Sequence, residues 1–336
     1  MTLANALSKQ ENELNALGIL SRTKILVVPA LQEASTRLSP EIQPLVHHHL
    51  SAGGKYLRAG LALLSANAAG ADEHVGLVGA LAIELTHNFS LIHDDIIDRD
   101  EDRRHEPTVW AKYGVGPALI AGDALSNLAF QLLLEEPSAE RVRAAGRLAD
   151  ATQAMITGQA EDIASEHQAS LSVEECLRME AGKTGALLAC AASIGAVLAG
   201  ADDAVVDALS AYGEHLGVAF QAIDDMLGVW GDPSVTGKPV GNDLRLRKKT
   251  LPISIANAKG FDVFAEGTSA LDQELSDAEV TEAMVLLDEC GARYETLELA
   301  GEELRAALAA LDGATMVQTA RAELTVIARF VVERDQ

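Results

Sequence analysis

Leu77 to Ile97 reads LVGALAIELTHNFSLIHDDII, and its apolar residues recur every three to four positions with no proline to interrupt them. That period belongs to a helix with a buried face and not to a strand, whose side chains alternate. The same spacing returns in Ala139–Ile163, Val173–Leu198, Ala204–Val229 and Val280–Leu311. Between these runs fall the breakers Ala52-Gly53-Gly54, Pro107-Thr108, Gly114 to Pro117 and Gly231 to Gly241. No set of alternating strands is predicted. The reading is an all-α bundle of ten or more helices in one domain, residues 1–336, with Ala258–Glu279 as a less regular surface excursion.

Composition narrows the function classes. Hydrophobic residues make up 48% and aromatics 4%, a balance that fills a core and favours helices over sandwiches. A net charge of −24 argues against a nucleic-acid partner, which needs a basic face. Cys176, Cys190 and Cys290 are scattered, fit neither a disulfide framework nor a metal knuckle, and point to a reducing cytoplasm. The N-terminal segment shows no basic stretch followed by an apolar one, so no signal peptide is expected. No run of eighteen uninterrupted apolar residues occurs, so no membrane span is expected either.

Two acidic clusters interrupt apolar helices, where unpaired carboxylates are costly. In Asp94-Asp95-Ile96-Ile97-Asp98, the carboxylates of Asp94 and Asp98 share a helix face about 6 Å apart along the axis. Such a pair repels unless a cation lies between its members. In Gln221-Ala222-Ile223-Asp224-Asp225, Gln221 and Asp225 share a face. All-oxygen donors suit Mg²⁺, which takes one or two carboxylates together with substrate phosphates. A di-iron bundle would need two Glu-x-x-His pairs; Glu84 and His87 have that spacing, but Glu214-His215 are adjacent.

Cations are concentrated in a few places: Gly53-Gly54-Lys55-Tyr56-Leu57-Arg58, Arg103-Arg104, Lys183-Thr184, Gly237-Lys238-Pro239 and Arg245 to Lys249. Arg as a planar fork and Lys as a point charge are natural diphosphate ligands. Gly182-Lys183-Thr184 lacks the earlier glycine of a nucleotide-binding loop. His87, seven residues before Asp94, shares its helix face two turns away; taken alone it reads as a core histidine, and its register with Asp94 is compatible with a second diphosphate pocket beside the acidic one.

In this order, from Lys55 to Pro252, the motifs Gly-Gly-Lys-x-x-Arg, His-Asp-Asp-x-x-Asp, Arg-Arg, Lys-Thr, Gln-x-x-Asp-Asp and Lys-x-Thr resemble the trans-polyprenyl diphosphate synthase family. The nearest resemblance is to bacterial short-chain synthases of the geranylgeranyl or farnesyl diphosphate type. The resemblance implies an isoprenoid-synthase-type helical bundle around a central cavity, working as a homodimer. It implies three Mg²⁺ ions with substrate bound, Asp94 and Asp98 holding two with Asp95 in support, and Asp224 the third with Asp225 close behind. Arg103, Lys183, Lys238 and Lys248 would then contact the allylic diphosphate. Lys55, Arg58, His87 and Arg104 would bind isopentenyl diphosphate. Three positions depart from the pattern: Ala59 for a proline, His105 for a glycine, and Gly228 for the last aspartate of the second cluster.

The chemistry so implied joins isopentenyl diphosphate to a C5, C10 or C15 allylic diphosphate. Cations neutralise the departing diphosphate, Thr184 and Gln221 oxygens face the allylic carbocation, and a dry apolar pocket keeps water from quenching it. Phe89, about 7.5 Å down the helix from Asp94, would floor the tail pocket, while Ser90 leaves room one turn below the metal. That pattern resembles synthases of C20 products, with C15 as the alternative. A class I terpene cyclase, or a non-catalytic partner subunit, on the same fold would be the competing readings.

Overall fold

The computed structural model describes residues 3–166, 168, 170–233, 239–264 and 274–333. Helix dominates, as the spacing predicts. In chain order the longer elements are α1 (Leu3–Ser35), α2 (Gln43–Ser51), α3 (Leu57–Ala68), α4 (Glu73–Ile97), α5 (Val109–Tyr113), α6 (Val115–Leu134) and α7 (Ala139–Ser165). They continue with α8 (Val173–Glu180), α9 (Ala186–Leu198), α10 (Asp203–Trp230), α11 (Asn242–Arg245), α12 (Leu251–Ala258), α13 (Asp277–Glu289), α14 (Ala292–Ala310) and α15 (Gln318–Glu333).

Two expectations are corrected. A small antiparallel hairpin, β1 (Asp102–Arg103) and β2 (Glu106–Pro107), follows α4; its strands are two residues each, too short to leave an alternating pattern. The run Val280–Leu311 is not one helix, because Gly291 at φ 76° turns the chain between α13 and α14.

The chain divides into two compact units. The first comprises residues 1–152, 187–211 and 310–327. Its centre is α4, which packs against both α3 and α6. Asp72 caps α4 by accepting from the His74 N–H at 2.9 Å. Two faces are in use, so apolar residues occur nearly all round: Ala80, Ile83 and Leu85 are fully buried, as is Ile92 near the end. The second unit comprises residues 153–186, 212–309 and 328–336, where α12 packs on α8 and on α13. Here α8 and α13 each begin with a reciprocal capping box, Ser172/Glu175 and Ser276/Glu279.

By length and composition three helical stretches are apolar enough to cross a membrane: Glu73–Ile97, Val115–Leu134 and Val173–Leu198. The fold itself buries 67% of the apolar window in the first and third, and 44% in α6. Scattered Asp, His and Lys had broken every uninterrupted run without lowering the mean hydropathy enough.

Candidate active site

In the first unit, α4 ends on the acidic cluster. The Asp98 N–H closes the last turn on the Asp94 carbonyl at 2.8 Å, which leaves Asp94 half-buried and Asp98 exposed on one face. Asp95 points the other way. It is 1% exposed, and its Oδ1 accepts from Arg103 Nε at 2.7 Å. Burial pushes its carboxyl up to about 6 even though Arg103 pulls it down; Asp100 and Asp98 add to the rise.

Arg103 reaches inward because of the hairpin. Arg104 and His105 form its two-residue turn, both left-handed at φ 56° and 66°, the conformation for which a glycine is usual. The histidine therefore carries strain of about 1 kcal/mol where the family pattern has glycine. The hairpin is tied down where the Thr108 Oγ1 and the Trp110 Nε1 both donate to the Asp100 carbonyl, at 2.9 and 2.8 Å. On the strand's other side the Arg104 guanidinium lies over Gly54, where a Cβ would meet its Nη1 at 3.4 Å, an ordinary van der Waals contact.

The four residues assigned to isopentenyl diphosphate lie in this same unit. Gly53 at φ 72° and Tyr56 at φ 56° turn the chain into α3, which carries Arg58. Arg58 donates through Nη1 to His87 Nε2 at 3.3 Å; a guanidinium has no acceptor, so the imidazole must accept. Burial, then Arg58, Arg104 and Arg103, hold His87 well below its usual range and hence neutral. Sequence reasoning missed Glu84, which is 4% exposed and accepts the Ala59 N–H at 3.1 Å. A proline at 59 has no N–H to donate, so the departure at that position makes this hydrogen bond possible. His49, also missed, is pushed down to about 3 by burial and by Arg103 and Arg104. With His48, Arg103, Arg104 and Thr108 it lines a cavity beside the hairpin.

Phe89 is 9% exposed and meets the His93 ring edge-on at 5.4 Å. That ring in turn fills the space a side chain at Gly122 of α6 would need, 2.2 Å from its Cβ position. Ser90 turns its hydroxyl back to the His87 carbonyl at 2.8 Å.

In the second unit the helix running from α8 into α9 is interrupted by a π-helical turn, Ala181–Gly185, a device common at functional sites. Two neighbouring helices grip it: a Cβ on Gly158 of α7 would lie 2.4 Å from Lys183 N, and one on Gly217 of α10 would lie 2.5 Å from Gly185 Cα. The turn presents Lys183 and Thr184. Lys183 Nζ pairs with Asp162 Oδ2 at 2.5 Å. Thr184 donates to Gln221 Oε1 at 2.9 Å, and Gln221 Nε2 donates to Asp225 Oδ1 at 2.9 Å. The Leu251 N–H, at the start of α12, takes Asp225 Oδ2 at 2.8 Å. Asp225 is thus interior, while Asp224 is exposed beside it.

Donor atoms of Cys176, Glu180 and Asp225 lie within 4.8 Å of one another. This buried trio does not suit Mg²⁺: a thiol is among its donors, and both Asp225 oxygens already accept N–H groups. Burial raises both carboxyls, Glu180 well above its ordinary value. Asp94, Asp98 and Asp224 do fit the ion. They are oxygen donors with access to solvent, and the first two stand one helical turn apart.

The basic run after α11 is sorted by its neighbours. Arg245 pairs with Asp277 at 2.6 Å, and Arg247 and Lys249 stack on the Phe264 ring at 5.6 and 4.9 Å. Lys248 is exposed. Lys238 lies outside the described residues. Asp162 and Glu180 escaped the sequence reading because, beside Glu161 and after Glu174-Glu175, they read as ordinary acids of a helix surface. Gly158 on α7, four residues before Asp162, was the available signal for the close approach to Lys183.

The model of the polyprenyl synthetase family matches residues 39–286. A (2E,6E)-farnesyl diphosphate synthase of Mycobacterium tuberculosis is 41% identical over 95% of this chain and 93% of its own. A geranylgeranyl diphosphate synthase of the same organism is 39% identical over 88% and 89%. Among solved structures, a polyprenyl synthetase from Streptomyces coelicolor superposes with a TM-score of 0.88 at 45% identity, covering 94% of this chain and 99% of the other. With this fold, these motifs in this order and these relatives, the chain belongs to the polyprenyl synthetase family.

Proposed function

We propose that this protein is a short-chain trans-prenyltransferase that joins isopentenyl diphosphate to an allylic diphosphate, with geranylgeranyl diphosphate (C20) as product. Its alternative is a farnesyl diphosphate (C15) synthase. The observation that carries the transferase reading is the cluster of Arg58, neutral His87 and Arg104 around buried Glu84. A cyclase acting on one substrate has no use for a second diphosphate pocket. Lys55, exposed at the turn before α3, completes the set.

Members of this family generally use Mg²⁺, which when bound neutralises the leaving diphosphate; three ions are proposed. Asp94 and Asp98 are assigned to hold it, as is Asp224, while interior Asp95 and Asp225 orient Arg103 and Gln221 respectively. Arg103, Lys183 and Lys248, with Lys238, bind the allylic diphosphate. Lys183 must exchange Asp162 for phosphate oxygens, a trade of one anion for another. The Gln221 and Thr184 oxygens, fixed by the chain of hydrogen bonds ending on Asp225, offer partial negative charge to the developing carbocation. The isopentenyl alkene attacks, and its proton leaves to the diphosphate.

Phe89, backed by His93, is the proposed floor of the tail pocket, with Ser90 as the open position above it. We further propose one catalytic domain, because the family match runs through both compact units. A homodimer is supported by Val115, Leu119 and Ile120, exposed together on α6. The three free thiols support a reducing cytoplasm.

The test is product analysis. The purified chain is given Mg²⁺, isopentenyl diphosphate and a C5, C10 or C15 primer. A C20 diphosphate supports the reading in full, and C15 moves the floor. Absence of condensation with every primer would leave the cyclase or partner-subunit reading.

A further inference from the structure

Gly228 stands where the second acidic cluster of the family pattern ends in an aspartate. It is four residues after Asp224 on α10, hence one turn along the same face, the spacing that Asp94 and Asp98 keep on α4. The space above Gly228 is taken. A Cβ there would lie 1.9 Å from Asp243 Oδ2 and 2.5 Å from its Cγ. Asp243 belongs to α11, whose helix begins beside Gly241 at φ 70°, and its carbonyl accepts the Lys248 N–H at 2.9 Å. The Asp243 charge also reaches the next-door cluster, where it helps raise the Asp225 carboxyl.

We propose that Asp243 supplies, from α11, the carboxylate that position 228 lacks, so that the second cluster regains the one-turn pair of acids seen in the first. Gly228 is then a requirement and not a loss: only a residue without a side chain admits the Asp243 carboxylate against the α10 backbone. Asp243 is a positioning and charge-supplying residue for the cation assigned to Asp224. The inference rests on the Mg²⁺-dependent reading proposed above.

The experiment exchanges the carboxylate between the two positions. Asp243→Ala, Gly228→Asp and the double variant Gly228→Asp/Asp243→Ala are compared with the parent chain. Mn²⁺ binding is measured by electron paramagnetic resonance in the presence of an unreactive allylic thiolodiphosphate, together with thermal melting. Asp243→Ala is expected to weaken Mn²⁺ binding by about tenfold or more, the usual effect of removing such a supporting group. Gly228→Asp alone is expected to melt lower than the parent and to bind Mn²⁺ no better. The double variant is expected to recover both melting temperature and Mn²⁺ affinity relative to its single parents. Should Gly228→Asp fail to fold, Gly228→Ala with and without Asp243→Ala gives the same steric comparison by melting alone. Unchanged Mn²⁺ binding in Asp243→Ala, or a double variant no better than Asp243→Ala, overturns the inference while leaving a condensing enzyme intact. A parent chain that neither condenses the substrates nor binds Mn²⁺ with the analogue overturns the functional reading itself.

Discussion

The two acidic clusters solve one problem differently. Each has an adjacent aspartate pair with one member facing solvent and one buried. In the first, buried Asp95 is held by a cation, Arg103, at 2.7 Å. In the second, buried Asp225 is held by neutral donors, Gln221 and the Leu251 N–H, and shares its surroundings with a second acid, Glu180. One site balances charge with charge, and the other sets two raised carboxyls together among neutral donors. The first arrangement fixes a guanidinium that a diphosphate can use. The second fixes a neutral amide whose oxygen can face a carbocation without capturing it, as an ionised carboxylate could.

Removing a solvent-facing acid should have the largest effect. Asp94→Ala is expected to lower turnover about 10³-fold or more with the fold intact, since this residue bears on leaving-group charge and not on packing. Steady-state condensation rates and circular dichroism check it; near-normal turnover would remove Asp94 from the metal site. Next comes the buried ion pair. Arg103→Leu takes from buried Asp95 the cation that holds its carboxyl down, which at pH 8, where the carboxyl is driven to ionise, should cost about 3 kcal/mol in denaturant unfolding. The corresponding Gln221→Ala should cost less, about 1–2 kcal/mol, because two hydrogen bonds but no charge are lost. Equal costs would erase the distinction between the clusters.

The pH dependence sharpens the same contrast. Asp95 sits at about 6 in the fold against about 4 unfolded. The native state therefore binds the extra proton, and stability of the metal-free protein should fall as pH rises through that window. Melting temperature measured from pH 4 to 7 is expected to decline, with a shallower slope in Asp95→Asn. The smallest effect belongs to the hairpin turn. His105→Gly relieves a left-handed non-glycine residue and should stabilise by about 1 kcal/mol, read by thermal melting.

Much of this was legible in the sequence. Long helical periodicity announced the helices at Glu73–Ile97, Ala139–Ser165 and Asp203–Trp230, and the clusters at Asp94 and Asp224 stood out because acids rarely interrupt such runs. What stayed hidden were partners brought together by packing. Glu84 looks like half of a metal-binding pair in sequence, yet its partner is a backbone N–H freed by an alanine. Glu180 and Asp162 lie among other helix acids, and their meaning comes from Asp225 and Lys183, on other turns and helices. The hairpin is legible only afterwards, since two-residue strands have no period to detect.

The proposed reaction is metal-assisted condensation of two diphosphates. Its most direct measurement is isopentenyl diphosphate consumption by the purified chain with farnesyl diphosphate as primer, titrated with Mg²⁺ and reversed with a chelator. The account predicts a C20 diphosphate that forms only while Mg²⁺ is present. No consumption at saturating Mg²⁺ with any primer, or consumption unaffected by chelation, would contradict it.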